Sequence, residues 1–277
     1  MSLFKQVTLH GLRAFLTKDN YLVGRSGVAT GGEGKPGIVL PGAYDTVALF
    51  EDFLGDLVPD EWIVGSSDTG QTATGVLATS AVSATNGVYR MTSSASSTQT
   101  PAGGAQSINT PPNWKANQGR LRFGARLKIA TLAGNNVFAG FTDTGGTELA
   151  VYDTGGGIIT PAADYAGWLK GGGAGASGNS LTWRLVAGKA GVDQVATPSP
   201  TITPVANVYE TLEVEVSQDG NTVTGYHNGK PVAQITSAGL TPTVALAAGV
   251  WRSNTEAAAD AIDVDYLNAS AARDTGL

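Results

Sequence analysis

The sequence predicts an all-β protein built as a two-sheet antiparallel sandwich, and three observations lead to this prediction. Numerous short apolar or alternating segments are separated by turn residues. The 277 residues include 38 glycines and many Ser, Thr and Ala residues, a composition typical of many short strands joined by turns. Helical periodicity is almost absent, and the run 256–259, Glu-Ala-Ala-Ala, is the only short helical candidate. Packing two sheets face to face buries one side of each such strand.

Composition argues against several classes of function. With 17 Lys+Arg against 23 Asp+Glu, the net charge is −6, and no overall positive field attracts nucleic acid. The chain has no cysteine and only two histidines, so we expect no cofactor or metal site. It has no apolar run of about 20 residues to span a membrane. Its N-terminus lacks a secretory pattern, so we expect folding in a cytoplasm.

Three segments are predicted along the chain. Residues 1–46 form an extended Gly-rich arm, with seven glycines between Gly24 and Gly42. Ordering such a backbone costs about 1–2 kcal/mol per residue, so the arm is expected to become ordered on another surface. A flexible tail is the alternative, but a pure tail has little use for its apolar residues. Residues 47–272 form the sandwich, and residues 273–277 form a C-terminal tail.

The strongest strand signals lie in the second half of the chain. The stretch Val208–Ile235 reads as a three-stranded meander with turns at Asp219-Gly220 and Asn228-Gly229. In the last strand Ile262, Val264 and Tyr266 are predicted to face inward. The other predicted strands are Ala48–Phe53, Leu77–Ala84, Gly87–Met91, Gln106–Asn109, Arg120–Ala130, Val137–Phe141, Leu149–Tyr152, Leu181–Ala187, Val244–Trp251 and Ala261–Leu267.

The segment Arg120–Ala130 has the clearest alternation, with apolar residues on one face and a basic row on the other. The basic row consists of Arg120, Arg122, Arg126 and Lys128. It can be interpreted as a phosphate-binding stripe or as a solvated sheet face opposite acidic neighbours such as Glu213 and Glu215. The overall negative charge favours the second interpretation.

Two loop motifs resemble catalytic signatures. Asp-Thr-Gly occurs at Asp68, Asp143, Asp153 and Asp274, and two such loops could form an aspartic protease dyad. Four copies, mostly at strand ends, favour turn chemistry instead. Residues 173–178 match G-x-G-x-x-G, but a strand is predicted to follow them, whereas a dinucleotide site requires a helix.

Acidic pairs and tryptophans are the remaining candidates. Glu213 with Glu215, and Asp263 with Asp265, each share a strand face, and we expect both pairs to face solvent rather than to perform catalysis. The five tryptophans are Trp62, Trp114, Trp168, Trp183 and Trp251. Most are expected in the core, but Trp114 and Trp251 are candidates to stack on a sugar.

Four phrases together resemble the concanavalin A-like, laminin-G-type jelly roll, particularly versions in tailed-bacteriophage structural proteins. They are FEDF, RLRFGARLKIATLAGNNVFAGFTD, YETLEVEVSQDGNTVTGYHNGKPVAQI and AIDVDYLNAS. The resemblance covers about residues 47–270 and implies a jelly-roll sandwich. Many relatives bind sugars, some hydrolyse them and others build particles. The E-x-D-x-x-E strand of the glucanases is absent, since Val216-Ser217-Gln218 follows Glu213-Val214-Glu215.

The arm makes the chain similar to phage capsid decoration proteins. This resemblance implies a non-enzymatic cement protein of the virion, made in the bacterial cytoplasm, that binds the major capsid protein through its arm as a homo-oligomer, with a trimer favoured. The capsid-contact candidates are Phe4, Leu12, Arg13, Phe15, Tyr21 and Arg25. A carbohydrate-binding module that contacts surface glycans is the alternative, and a glycosidase is the third hypothesis.

Overall fold

A computed structural model describes sixteen stretches of the protein. They are residues 5–9, 12–16, 22–24, 46–51, 53, 61–66, 76–77, 88–92, 106–145, 151–153, 158–159, 162–172, 181–189, 192–196, 202–254 and 261–272. The short helical candidate at 256–259 and the glycine-rich loop at 173–178 lie outside the described residues.

The described secondary structure is almost entirely β. The strands of the first half are β1 (Lys5–Leu9), β2 (Leu12–Leu16), β3 (Leu22–Gly24), β4 (Thr46–Glu51), β5 (Ile63–Ser66), β6 (Val76–Leu77), β7 (Tyr89–Thr92), β8 (Gln106–Asn109), β9 (Leu121–Ile129) and β10 (Asn135–Thr142). Those of the second half are β11 (Tyr152–Asp153), β12 (Ile158–Ile159), β13 (Asp164–Lys170), β14 (Trp183–Lys189), β15 (Val192–Val195), β16 (Tyr209–Val216), β17 (Val223–His227), β18 (Lys230–Ile235), β19 (Ala247–Asn254) and β20 (Ala261–Ala272). One short 3-10 helix, Ala116–Gln118, precedes β9.

Two large antiparallel sheets form the sandwich. The first has the order β18-β17-β16-β9-β20-β7-β6, with β4 also paired to β20, which makes eight strands. The second has seven strands in the order β15-β14-β13-β10-β19-β8-β5. Neighbours in each sheet are mostly distant in sequence, as in a jelly roll. The prediction of a concanavalin A-like jelly-roll sandwich is confirmed.

The main hydrophobic core lies between the two sheets. The first sheet contributes Leu127, Val214 and Val264, all essentially inaccessible to solvent. Phe123 meets Phe141 of the second sheet edge-to-face, with ring centroids 6.1 Å apart. Burying an aliphatic or aromatic side chain of this size contributes about 1.5–3 kcal/mol. This interface therefore determines which face of each strand points outward.

A second apolar cluster lies on the other side of the seven-stranded sheet. Phe138 contacts Tyr165 and Trp251 there, and Tyr152 of the short β11-β12 pair packs on them. As a result β13 is buried on both faces, and all seven of its residues are inaccessible or nearly so. The segment before β13 thus closes over this sheet.

The predicted meander is confirmed as β16, β17 and β18. Asn228 and Gly229 adopt φ values of 49° and 76°, the left-handed pair required by a tight hairpin turn. At the first turn Gly220 has φ 72°, while the Asp219 carboxylate accepts hydrogen bonds from the Ser217 hydroxyl and the Asn221 backbone N–H. The turn residues thus set the register of all three strands.

A β-bulge corrects one prediction for the last strand. Val264 of β20 pairs with Leu127 of β9, and Tyr266 pairs with the adjacent Arg126, since the strands are antiparallel. Asp265 has no partner residue in this register and is therefore an extra residue in β20. The extra residue reverses the alternation beyond it. Tyr266 therefore faces outward, contrary to prediction, and Leu267 takes the inward position.

The segment predicted as the arm contains β1, β2 and β3, which pair with each other as a small antiparallel sheet. The predicted capsid-contact residues all belong to this segment. Phe4, Tyr21 and Arg25 lie outside the described residues, and Leu12, Arg13 and Phe15 are described only as backbone of β2. Their role stays a prediction.

Candidate functional site

The outer face of the eight-stranded sheet collects aromatic and charged side chains. One line of partners runs across five strands: Tyr226, Glu213, Gly124, Asn268 and Phe50. The next lines contain Thr211, Arg126 and Tyr266, and then Tyr209, Lys128, Asp263 and Arg90. We call this surface, together with Arg120, Arg122, Glu215 and Asp265, the outer tyrosine face.

Ion pairs connect neighbouring strands of the outer tyrosine face. The Arg122 guanidinium donates to Glu213 Oε2, with Nε at 3.0 Å. Asp263 receives two cations, Arg90 Nε at 2.6 Å and Lys128 Nζ at 2.8 Å. The predicted cross-strand pairing of the basic row with acidic neighbours is therefore confirmed.

Two further pairs complete this network. Arg126 donates to Asp265, the extra residue of the β20 bulge. Arg120 lies 3.5 Å from Glu215, measured between Nη1 and Oε1. The bulge thus contributes a carboxylate to this face in addition to moving Tyr266 onto it.

The two cations change the ionisation of Asp263. Burial acts to raise the pKa of this carboxyl, but hydrogen bonds from Arg90 and Lys128 and their charges outweigh burial and hold the pKa below its ordinary value. Asp263 is therefore a carboxylate at neutral pH. Its oxygens are occupied by Arg90 and Lys128.

The prediction that Glu213 and Asp263 face solvent is wrong in one respect. Both point to the outer face, yet their side chains are only 8% and 5% exposed, because the longer cationic side chains lie over them. Arginine and lysine cover such surfaces with their aliphatic stems while the charged group reaches water. Each carboxylate is thus held in an ion pair.

Aromatic rings are interspersed with these charges. Phe50 is the most accessible, with 48% of its surface exposed, and its ring centroid lies 5.9 Å from that of Tyr266. Tyr209 has the Arg126 guanidinium 4.6 Å from its ring centroid. Tyr226 has the Arg122 guanidinium 5.3 Å from its centroid. Such cation–π contacts hold the rings and the cations together.

Gly124 lies in the middle of the outer tyrosine face, between Glu213 and Asn268. A Cβ atom added there would lie 2.9 Å from the amide atoms of the Asn268 side chain. The missing side chain therefore lets Asn268 lie over the strand. Glu213 and Asn268 thus form a polar strip between Tyr226 on one side and Phe50 on the other.

The two predicted sugar-stacking tryptophans are buried, so this prediction is wrong. Trp114 is 6% exposed and donates its Nε1–H to Thr110 Oγ1 at 3.0 Å. Trp251 is 0% exposed because it lies within the second apolar cluster. Trp62, Trp168 and Trp183 are buried too. Neither predicted ring presents a face to a ligand.

The described Asp-Thr-Gly loops have structural roles. Asp143 accepts hydrogen bonds from the backbone N–H groups of Ala163 and Asp164, each at 3.1 Å, so its carboxylate joins the end of β10 to the start of β13. The Asp153 carboxylate is buried and paired with Arg184. Asp68 and Asp274 lie outside the described residues.

Other candidate sites are weaker in the described part of the chain. His227 Nε2 lies 2.9 Å from Glu210 Oε2 at the end of a hairpin. No cluster of three metal-ligating His, Cys, Asp or Glu side chains occurs among the described residues. None of the helices within those residues has the length and apolar character needed to cross a bilayer.

Comparison with solved structures agrees with the fold. The chain is similar to the Emp47p carbohydrate recognition domain, with a TM-score of 0.52 and 12% identity, covering 83% of this chain and 98% of that one. It is also similar to a native glycosidic hydrolase (TM-score 0.50, 15% identity, 80% and 94% covered). A third similar structure comes from work on endo-acting O-glycanases with which human gut microbiota initiate mucin breakdown (TM-score 0.51, 10% identity, 82% and 99% covered).

At these identities the similarity shows the fold alone. No model of a protein family matches the chain, and no curated protein matches its sequence. The similar structures nevertheless include a glycosidic hydrolase and an O-glycanase, so the prediction that the chain is not an enzyme is contradicted. The chain thus has the concanavalin A-like jelly-roll fold, which the Emp47p carbohydrate recognition domain and the glycosidic hydrolase also have.

Proposed function

We propose that the protein is a carbohydrate-binding jelly-roll domain and that the outer tyrosine face is its binding surface. The main support is the combination of the exposed Phe50 ring, partly exposed tyrosine rings and charged groups on one sheet face. A sugar ring has C–H faces that pack on the negative face of an aromatic ring, and hydroxyl groups that hydrogen-bond to charged side chains.

The accessible rings determine where the sugar sits. Phe50 and Tyr226 lie at opposite ends of one line of cross-strand partners, with Asn268 and Glu213 between them. Strands in a sheet are about 4.8 Å apart, so this line of five strands spans about 19 Å. An oligosaccharide of several units fits this length and contacts both rings.

Binding is tested by titrating purified protein with neutral and acidic oligosaccharides in a calorimeter, following a glycan-array screen. Phe50→Ala and Tyr226→Ala each weaken binding about tenfold, which corresponds to the loss of one aromatic contact of about 1.4 kcal/mol. Val192→Ala is the matched control, because Val192 is 66% exposed on the edge strand of the other sheet. It leaves the affinity unchanged.

The outcome that contradicts the proposal is equally specific. Binding that survives both aromatic substitutions, with circular dichroism showing an intact fold, moves the site away from the outer tyrosine face. Failure to bind any glycan on the array contradicts carbohydrate binding itself. Assaying the same mixtures for new reducing ends determines whether bound sugar is also cleaved.

A further inference from the structure

We infer that the outer tyrosine face takes acidic carbohydrates, that is, oligosaccharides carrying carboxylate or sulfate groups. The inference rests on the proposed function and specifies its ligand class. It rests on the depth at which the charged groups lie, since the cationic groups are nearer to solvent than the carboxylates. The number of charges does not decide it, because acidic and basic side chains are almost equally represented on this face.

Cations form the upper layer of the outer tyrosine face. The side chains of Arg90, Arg122 and Arg126 are 44%, 46% and 41% exposed. Their partners Asp263, Glu213 and Asp265 are only 5%, 8% and 15% exposed. A ligand that approaches from solvent therefore meets guanidinium groups first. The carboxylates beneath hold these groups in place.

The guanidinium groups retain hydrogen-bonding capacity. Each arginine has five N–H donors. In the described part of the chain, Arg126 contacts a carboxylate through Nη1 alone, and Arg122 does so through Nε and Nη2. The remaining N–H groups match the oxygen atoms of a carboxylate or sulfate, which guanidinium binds in a planar, bidentate manner.

Cations and rings occur together on this face. Arg122 lies against Tyr226, while Arg126 and Lys128 lie 4.6 and 5.0 Å from the ring centroid of Tyr209. A sugar that contacts either ring also meets a positive charge. A neutral sugar leaves that charge unused, whereas an acidic substituent pairs with it.

The same layering disfavours nucleic acid as the ligand. The carboxylates directly below the guanidinium groups cancel the field a few ångströms away, and the whole chain carries a net charge of −6. Nucleic-acid surfaces need an extended positive field that attracts a dense row of phosphates. Short-range pairing with isolated acidic groups needs no such field.

The test compares three oligosaccharides of equal length by calorimetry: oligogalacturonate with carboxylates, a sulfated galactan oligomer and neutral laminaritetraose. A single-stranded oligonucleotide serves as a fourth probe. Arg90→Gln combined with Arg120→Gln removes two solvent-exposed cations of the outer tyrosine face while the fold is retained, because Lys128 still pairs with Asp263 and Arg120 is 64% exposed. The matched control combines Lys115→Gln with Lys189→Gln, which removes two charges elsewhere.

We expect one or both acidic probes to bind at least about tenfold more tightly than the neutral one. The arginine double variant binds the acidic probe about tenfold more weakly, because each of the two lost ion contacts contributes about threefold. The lysine control changes the affinity for the acidic probe less than about twofold. Raising NaCl from about 50 to about 300 mM weakens the binding of the acidic probe to the wild type, since the Debye length shortens. The tighter of the two acidic probes identifies the preferred group.

The contradicting results separate this inference from the proposed function. Neutral and acidic probes that bind equally, with the same dependence on Phe50 and Tyr226, overturn the acidic preference and leave carbohydrate binding standing. Equal or tighter binding of the oligonucleotide also overturns the inference. No binding of any oligosaccharide contradicts the proposed function itself.

Discussion

Replacing Arg122 by Met removes the only cation that contacts the nearly buried Glu213 carboxylate in the described structure. Breaking a fully buried pair costs about 3–5 kcal/mol, and a surface pair contributes about 0–1 kcal/mol. Glu213 is 8% exposed and Arg122 is 46% exposed, so this pair lies between the two limits. We expect a loss of about 2 kcal/mol, and a midpoint of thermal unfolding lower by about 4–8 °C.

Urea unfolding followed by circular dichroism measures this loss. Arg120→Met is the matched control, because its pair with Glu215 is longer, at 3.5 Å, and more exposed. It lowers stability by less than about 0.5 kcal/mol. Adding Glu213→Leu to Arg122→Met restores most of the stability, since the buried charge is then absent. Equal effects of the two methionine variants, or no recovery in the double variant, refute the assigned role of this pair.

Three further predictions follow from the described contacts. Gly225→Ala lowers the free energy of unfolding in urea by about 1–3 kcal/mol, because the new Cβ lies 2.6 Å from the Trp168 ring. Gly124→Ala changes the free energy of unfolding by less than about 1 kcal/mol, because only the movable Asn268 side chain must shift. Asp263→Asn removes a carboxyl whose pKa is lowered by folding. The wild type therefore exceeds this variant in free energy of unfolding by the full amount well above pH 3.8, and the difference disappears as the pH falls through the folded-state pKa. All five tryptophans are buried, so acrylamide quenches native fluorescence weakly, and a saturating sugar leaves it nearly unchanged.

Local sequence signals predicted the first sheet well. The strand predicted at Arg120–Ala130 is β9 (Leu121–Ile129), and the predicted meander is β16 to β18 with both turns in place. These strands have one face toward solvent and one face buried in the core, so their period-two pattern is visible in the sequence. The pairing of the basic row with Glu213 was predictable for the same reason.

Features produced by distant segments were not predictable in this way. β13 was missed because both of its faces are buried, which removes the alternation that marks a half-exposed strand. Trp251 was expected on the surface, but the β11-β12 pair folds over its sheet. The orientation of Tyr266 depends on a single-residue bulge, and a strand pattern alone does not reveal where a bulge occurs.

The aromatic half of the candidate site was missed for a related reason. Phe50, Tyr226 and Tyr266 belong to three separated strands, and only cross-strand pairing brings them to one face. Each aromatic residue alone indicates burial as readily as binding. The basic row was the one local signal, and its meaning depends on the rings beside it.

Calorimetric titration of the wild type, Phe50→Ala and Tyr226→Ala with an acidic oligosaccharide tests the central claim most directly. Carbohydrate binding by the outer tyrosine face predicts saturable binding of the wild type, about tenfold weaker binding for each variant, and unchanged binding for Val192→Ala. Equal affinity of all four proteins for the sugar would contradict the claim.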